Sequence, residues 1–302
     1  MPRLGAHMSI AGGLPRAVER ARATGCDALQ IFTKSSGQWR ARPLPESEIV
    51  RFRQVIEQLD VRPVIAHASY LINLGAPDET LHQRSQAALG EELDRAENLG
   101  LAGLVLHPGS YTTSSEEEGL RRIAAGLVAV LTERTERKTM LLLEHTAGQG
   151  TNLGHSFEQL GDIVRLTENA TGVRVGLCLD TCHLVAAGYE LSSETGYAGT
   201  MQQLDACLGV DRVRAIHLND SRKPLGSRVD RHTHIGDGYV GMDGFRRILT
   251  DPRLQDVPMV LETPKSGPAT PASTEPDPLD LKNLSTLRGL LKDRSACGVP
   301  NK

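Results

Sequence analysis

The sequence is poor in the features that hold small secreted domains together or carry a chain across a membrane. Its 302 residues include only five cysteines, an odd number in which no pair has CxxC spacing, and this favours reduced thiols in a cytosol over a disulfide framework. No run of about 18 apolar residues is present, so a transmembrane helix is not expected. The first residues also lack the apolar core of a secretory signal. We therefore expect a soluble, cytoplasmic protein with no membrane partner.

Neither sign of charge dominates the sequence. The 34 Lys and Arg residues and the 37 Asp and Glu residues leave a formal net charge of −3, which argues against indiscriminate binding to nucleic acid through a basic surface. A local basic surface is compatible with this balance if separate basic segments share one face. Two such segments are present, one with Arg40 and Arg42 and one with Arg222, Lys223, Arg228 and Arg231.

The chain alternates short apolar runs with segments of helical periodicity. The apolar runs predict strands over residues 4–7, 28–32, 62–66, 103–106, 140–143, 175–179, 213–216 and 257–261. The helical patterns predict helices over residues 14–23, 46–59, 81–99, 120–132, 157–167 and 279–292. Repeats of this kind indicate an α/β fold, a single-domain (β/α)8 TIM barrel over residues 1–292 with a frayed tail over residues 293–302. A doubly wound open sheet is the alternative.

Side chains with metal-binding chemistry end six predicted strands in succession. Strands three to eight end, in chain order, on His67, His107, Glu144, Asp180, His217 and Glu262. In a barrel the carboxyl ends of the strands surround one mouth, where catalytic groups are placed. An open sheet would spread the same groups along a line. The six strand ends therefore favour the closed barrel.

Three further residues can join this group. His183 lies three residues after Asp180, and Asp230 and His232 are two apart, so that in an extended segment their side chains leave the same face. An isolated D-x-H is more often a capping aspartate beside a solvated histidine, but the strand ends favour metal binding here. Five histidines and four carboxylates are too many for one zinc ion, which takes about three protein ligands and a water. They suit a cluster in which a carboxylate bridges two ions.

A cluster of this kind predicts an anionic substrate. Three divalent ions would bring six positive charges against four carboxylates, which leaves about two positive charges at the bottom of a pocket. A phosphodiester matches that charge, because clustered metals activate water and neutralise the leaving oxygen. The residues therefore predict hydrolysis of a phosphodiester.

Seven segments spread along the chain form a specific set of motifs. They are GAHMSIAGG near the start, HASYLINLGAP, HPGS, LEHTAGQGTNLG, DTCHLVAAGYEL, HLNDSRKPLGSRVDRHTHIG, and LET at residues 261–263. Together they resemble the endonuclease IV family of apurinic/apyrimidinic (AP) endonucleases over nearly all of the predicted barrel. The resemblance implies a barrel with three zinc ions that cuts double-stranded DNA 5′ to an abasic site, leaving a 3′-hydroxyl and a 5′-deoxyribose phosphate.

The resemblance also implies which residues hold the ions. It assigns one zinc to His67, His107 and Glu144, a second to Glu144, Asp180, His217 and Glu262, and a third to His183, Asp230 and His232. The resemblance also implies that one zinc can be replaced by Mn²⁺. In this scheme Glu144 bridges two ions, and Glu144 and Glu262 are the expected catalytic residues. The family more often has asparagine where this chain has His145, which we interpret as a neighbour of the site and not as a ligand.

The loops after strands two, three and seven are expected to contact DNA, because in a barrel they surround the same mouth. The candidate DNA-binding residues are Lys34, Gln38, Trp39, Arg40, Tyr70, Leu71, Arg222 and Arg228. Tyr70 and Leu71 lie in an unusually apolar loop and can fill the gap left when a nucleotide rotates out of the helix to reach the metals. Gly37 stands where the family often has a long side chain that penetrates the base stack. We expect the protein to act as a monomer.

Two other functions fit parts of the pattern. A sugar isomerase or epimerase of similar barrel type would use one or two divalent ions and would not need His183 with Asp230 and His232. A binding protein with structural zinc would be expected to have a closed, Cys-rich site of four ligands, and none of the five cysteines is arranged that way. Metal content per chain separates the nuclease from the isomerase.

Overall fold

Eight parallel strands close into a barrel in the computed structural model, which describes residues 2–296. Numbered in chain order, the barrel strands are β1 (Leu4–His7), β2 (Ala28–Phe32), β3 (Val64–His67), β4 (Gly103–Leu106), β5 (Met140–Glu144), β6 (Gly176–Asp180), β7 (Val213–His217) and β8 (Met259–Leu261). Each strand pairs with its successor, and β8 pairs with β1 through Met259 and Leu4. The predicted (β/α)8 barrel is therefore confirmed, and the open sheet is excluded.

Helices follow the strands along the described part of the chain. They are α1 (Leu14–Ala23), α2 (Glu46–Leu59), α3 (Glu79–Leu99), α4 (Glu116–Leu131), α5 (Phe157–Thr171), α6 (Thr181–Ala187), α7 (Glu194–Cys207), α8 (Gly241–Thr250) and α9 (Pro278–Ala296). The side chains of Asp78, Ser115 and Ser156 cap α3, α4 and α5 by accepting a hydrogen bond from a backbone N–H in the first turn. Among residues 2–296, no helix is both long and apolar enough to cross a membrane.

The inside of the barrel is filled by side chains from the strands. One residue from each of β2 to β8 belongs to a compact buried cluster, which consists of Ala28, Ile65, Val105, Leu142, Cys178, Ala215 and Val260. Their neighbours along the strands, such as Leu29 and Leu104, belong to a second cluster that also includes helical residues. Because the interior is packed, the polar strand ends can meet only at the mouth of the barrel.

Most predicted elements agree with the structure. The bounds of α1 and α2 are those predicted, and no barrel strand differs by more than two residues at either end. The sequence predicted no bounds for α6, α7 and α8; in α6, for example, nearly every residue is buried, so that a polar face is missing. The helix predicted over residues 279–292 continues to Ala296. The remainder of the predicted tail, residues 297–302, lies outside the described residues.

Two short antiparallel ribbons stand on the carboxyl side of the barrel. One pairs Gly109–Ser110, after β4, with Asn152–Leu153, after β5. The other pairs Asp220–Ser221 with His232–Thr233, both in the loop after β7. The loops that contain these ribbons also carry predicted site residues. The ribbons give these loops a defined backbone geometry.

Candidate metal centre at the barrel mouth

The first group of donors combines two histidines and a glutamate from neighbouring strands. Nε2 of His67 lies 3.1 Å from Oε2 of Glu144, and Nε2 of His107 lies 3.0 Å from the same oxygen. Nδ1 of His67 lies 2.7 Å from the carbonyl of Ala68, so that this nitrogen carries the proton and Nε2 is free to bind a cation. The three donor atoms lie within 4.8 Å of one another.

The second group consists of Glu144, Asp180, His217 and Glu262. Nδ1 of His217 faces the carboxylates, at 3.1 Å from Glu144 and 3.2 Å from Glu262. Its other nitrogen, Nε2, lies 2.8 Å from Oε1 of Gln30, which places the proton on Nε2 and leaves Nδ1 as the donor toward a cation. Gln30 could not be recognised as a site residue from the sequence, because a glutamine inside a strand has no local signature.

The third group consists of His183, Asp230 and His232. Nε2 of His183 and Nε2 of His232 each lie 3.2 Å from an oxygen of Asp230. Nδ1 of His183 donates to the carbonyl of His145 at 2.9 Å, so that Nε2 is again the free nitrogen. Both Nε2 atoms are buried, and their contacts with Asp230 lack hydrogen-bond geometry, so that neither has a hydrogen-bond partner among the described residues. Buried polar atoms without partners are rare and are expected where a cation binds.

Glu144 joins the first two groups. Its Oε2 faces His67 and His107, whereas its Oε1 lies 3.1 Å from His217 and 3.3 Å from His183. The side chain is fully buried. A carboxylate that offers one oxygen to each of two donor groups has the geometry of a bridge between two ions.

Opposite charges within the centre shift the pKa values of its members. Burial raises the pKa of Glu144, but the imidazoles of His107 and His217 outweigh this effect and hold that pKa well below its usual range. Burial lowers the pKa of His183, but Asp180 and other carboxylates raise it well above its usual value. The centre is therefore built from ionised carboxylates that require cations close by. To hold a metal ion, the imidazoles of His67, His183, His217 and His232 would have to lose the proton on the nitrogen that faces the carboxylates.

The donor set fits divalent metal ions. Each group offers three or four imidazole or carboxylate atoms, which is the ligand chemistry of zinc and related ions. A further group of close donors combines Asp180, Cys182 and His232. Burial raises the pKa of the Cys182 thiol to about 12, and its Sγ lies 3.6 Å from the carbonyl of Arg231. Without a bound ion the thiol is protonated at neutral pH, and it packs beside the centre.

Two further histidines lie next to the centre. His145 is fully buried, and its ring packs 5.3 Å from that of Phe157 and 5.2 Å from that of Tyr189. Nδ1 of His7 lies 3.4 Å from Oε1 of Glu262. Neither belongs to a donor group among the described residues.

A cavity of about 630 Å³ opens above the donors. His67, His107, His183, Asp230 and Glu262 lie in its wall. Tyr70 also lines this cavity and is 62% exposed. Its ring lies 5.1 Å from that of His67 and 5.9 Å from that of His107. The structure therefore places the predicted wedge residue directly beside the first donor group.

The other predicted DNA-binding residues differ in exposure. Gln38, Arg40, Arg222 and Arg228 are exposed, whereas Trp39 and Leu71 are half-buried, and Trp39 packs 4.3 Å from the guanidinium of Arg84. Lys34 is buried and its ammonium pairs with Glu92 at 3.2 Å. Contact between DNA and these residues stays a prediction, and for Lys34 the structure shows an interior partner.

The fold and the donors define a class of protein, a (β/α)8 barrel whose carboxyl-end mouth carries groups of side chains that could hold metal ions. Residues 18–283 match the family model described as a xylose isomerase-like TIM barrel. The chain is 45% identical over 292 residues to the probable endonuclease 4 of Chloroflexus aurantiacus, covering 97% of this chain and 99% of that relative. The chain belongs to the endonuclease IV family of AP endonucleases.

Other comparisons agree with this assignment. The probable endonuclease 4 of Trichlorobacter lovleyi is 47% identical over 287 residues, covering 95% of this chain and 99% of the relative. The crystal structure of endonuclease IV from Thermus thermophilus superposes with a TM-score of 0.82 at 40% identity, covering 97% of this chain and 100% of that one. A D-tagatose 3-epimerase-like protein, at 16% identity and a TM-score of 0.71, shares the fold.

Proposed function

We propose that this protein is a DNA repair endonuclease that hydrolyses the phosphodiester 5′ to an abasic site in double-stranded DNA, leaving a 3′-hydroxyl and a 5′-deoxyribose phosphate. The observation that carries the proposal is the meeting of three donor groups at one mouth, with Glu144 shared by two of them. These are the groups that the family resemblance implies as ligand sets. Similarity to endonuclease 4 proteins along nearly the whole chain supports the same function. We further propose that it acts as a cytoplasmic monomer.

The proposed cofactor is a cluster of three Zn²⁺ ions, one of which Mn²⁺ can replace. His67, His107 and Glu144 would hold one ion, and the other two groups would hold one each. When bound, the ions would lower the pKa of a water molecule and neutralise charge on the phosphate. The protein contributes the position of each donor, since hydrogen bonds fix the free nitrogens of His67, His183 and His217.

Glu144 and Glu262 are the proposed catalytic residues. Burial raises the pKa of Glu262, but His217 and other neighbours outweigh it and lower that pKa well below its usual range. Its Oε1 accepts a hydrogen bond from Gln30 at 2.5 Å. The carboxylate is therefore ionised at neutral pH and held in one orientation. Its Oε2 can accept a hydrogen bond from the attacking water and orient it toward the phosphate.

An abasic nucleotide must leave the helix to reach these donors. The target phosphate lies along the surface of a duplex, whereas the donors lie at the bottom of the cavity, so that the nucleotide has to rotate outward. Tyr70, at the rim, and its neighbour Leu71 are placed to occupy the opened step. An abasic site resists this rotation less than an intact nucleotide, because it has no base to unstack or unpair.

The proposal is tested by metal analysis combined with cleavage. Purified protein is expected to contain about three zinc ions per chain and to cut a duplex with one abasic site, producing a 3′ end that a DNA polymerase extends. Glu144→Ala removes the shared donor and is the control for contaminating nuclease. Treatment with a chelator should abolish cleavage, and added zinc should restore it. Full cleavage by metal-free protein rejects the proposed metal cofactor. One or two ions per chain with no cleavage rejects the nuclease and favours the isomerase.

A further inference from the structure

The buried ammonium of Lys34 holds the loop after β2 against helix α3. Its side chain is 4% exposed, and its Nζ lies 3.2 Å from Oε1 of Glu92, whose side chain is 1% exposed. The same Nζ donates to the carbonyl of Gln38 at 2.5 Å. Lys34 therefore connects α3 with the turn of a loop that faces the mouth.

Glu92 holds a second loop as well. Its oxygens lie 3.3 and 3.2 Å from the backbone N–H of Ser69, in the loop after β3. The hydroxyl of Ser69 donates to the carbonyl of Ser36 at 2.6 Å and accepts from the N–H of Leu71 at 3.2 Å. One buried carboxylate thus joins the loops after β2 and β3.

Helix α3 anchors the loop after β2 at another point. Arg95 lies three residues after Glu92, on the same face of the helix. Its Nη2 donates to the carbonyl of Thr33 at 2.5 Å, and its Nη1 donates to the carbonyl of Arg42 at 3.0 Å. Both ends of the loop are therefore attached to a long helix, which is a rigid base for it.

The residue that this network brings to the mouth is Tyr70. It lies between Ser69 and Leu71, whose backbone N–H groups are both hydrogen-bonded within the network. Its ring packs 5.6 Å from that of Phe32 and 5.1 Å from that of His67. The hydrogen bonds therefore fix the backbone on both sides of Tyr70, and the contacts with Phe32 and His67 hold its ring against the first donor group.

We propose that Lys34 and Glu92 are positioning residues that couple the loops after β2 and β3 and hold Tyr70 ready to fill the space left by a rotated nucleotide. The inference rests on the proposed function. Stability alone is a weak reason for such a pair, since well-packed apolar residues commonly replace a buried ion pair without loss of stability. Fixing a recognition loop before binding lowers the ordering cost of binding.

The first test compares two glutamates that each bind a cationic side chain and a backbone N–H. Glu92→Gln removes the charge that holds Lys34. We expect it to lower kcat/KM on an abasic duplex about tenfold or more. The loss on a single-stranded abasic oligonucleotide should be much smaller, and the metal content should be unchanged. The control is Glu168→Gln. The carboxylate of Glu168 also binds a cationic side chain, accepting hydrogen bonds from the guanidinium of Arg212 at 2.5 and 3.0 Å. It accepts a further hydrogen bond from the backbone N–H of Val175 at 2.8 Å. Glu168 lies at the opposite end of the barrel. Glu168→Gln should therefore leave the ratio of the duplex rate to the single-strand rate unchanged.

The second test is a double-mutant cycle. If Glu92 acts through the tyrosine, Tyr70→Ala should lower kcat/KM far less in the Glu92→Gln protein than in the wild type, because the effects of coupled substitutions are not additive. Additive losses, or equal losses on both substrates, overturn the coupling. If Glu92→Gln does not fold, Lys34→Met combined with Glu92→Leu removes both charges and serves in its place. If the wild-type protein does not cleave an abasic duplex, the proposed function is rejected. The proposed coupling of Lys34 and Glu92 to Tyr70 is then rejected as well.

Discussion

At the residue scale, the directions of three histidine rings are set by a hydrogen bond on the nitrogen that faces away from the carboxylates of the centre. His67 and His183 use backbone carbonyls, whereas His217 uses the side chain of Gln30. Such partners fix the tautomer and make the opposite nitrogen a better donor to a metal. Backbone carbonyls cannot be removed by substitution, so Gln30 is the member of this set that mutation can test.

Gln30→Leu should weaken metal binding by about 10-fold to 100-fold. The substitution removes the acceptor that holds Nε2 of His217 and the donor to Glu262. Metal retained per chain, measured after dialysis against increasing chelator, gives the affinity. Gln159→Leu is the control, because Gln159 is also buried but hydrogen-bonds Gly154 and Glu116. Equal metal loss in both variants would assign the effect to the fold.

Tyr70→Ala should lower cleavage of an abasic duplex far more than cleavage of a flexible single strand with the same lesion. The ring is 62% exposed at the cavity rim, and a wedge matters only where a base step has to stay open. Initial rates on the two substrates, with zinc content measured in parallel, test this expectation. Losses of the same size on both substrates would show that Tyr70 supports the fold or the metals.

At the scale of the element, the loop after β7 is built around the buried carboxylate of Asp220. Its Oδ1 accepts hydrogen bonds from the N–H groups of Ser221 and Val240, both at 2.9 Å. Its Oδ2 accepts from those of Gly236 and Gly238, at 2.9 and 3.0 Å. A Cβ at residue 238 would come within 2.3 Å of the carbonyl of Ser221, so this approach requires glycine. Four bonds to one side chain hold the ribbon that carries His232, a member of the third donor group.

Asp220→Asn should selectively weaken the third metal site. An asparagine has a single acceptor oxygen, so about two of the four N–H groups lose their partner, at about 1–3 kcal/mol each. The ribbon with His232 should then loosen, while the donors on β3 and β5 stay in place. We expect a lower Tm and the loss of about one ion per chain. The control is Asp237→Asn, an exposed change in the same loop; loss of all ions in Asp220→Asn would contradict a local role.

At the scale of the whole molecule, a net charge of −3 coexists with exposed basic residues in the loops at the mouth. Arg228 is exposed, yet its backbone is fixed by an N–H bond to the carbonyl of Ala186 at 2.8 Å. Its guanidinium lies 3.2 Å from Nε2 of His155. A basic side chain on a fixed backbone can contact a phosphate without first having to order its loop.

Arg228→Ala should weaken binding to damaged and undamaged duplex alike. A phosphate contact carries no sequence information, and its loss should reduce the slope of log K against log salt by about one. Fluorescence anisotropy of labelled duplexes over a range of salt concentrations measures that slope. Arg121→Ala, an exposed change on α4, is the control. An unchanged slope would remove Arg228 from the DNA-binding surface.

The sequence alone predicted the barrel and the residues of its mouth. Strand alternation and polar strand ends such as His67, Glu144 and Asp180 are local features, and in a closed barrel the end of every strand reaches the same place. These features do not depend on contacts between distant residues. Helical periodicity is also a local feature, and for this reason α1 and α2 were predicted with their observed bounds.

The tertiary structure alone decided which side chains support those residues. Gln30 and His217 lie 187 positions apart, and no local pattern connects them. Lys34 was predicted to contact DNA from its place in a basic loop, but its ammonium lies in the interior because Glu92, on α3, is packed behind that loop. Asp220 is an ordinary turn residue in the sequence, and it becomes the anchor of a ribbon only when four backbone amides converge on it. Burial and hydrogen-bond partners depend on how distant segments pack, so they follow from the closed barrel and not from the order of residues.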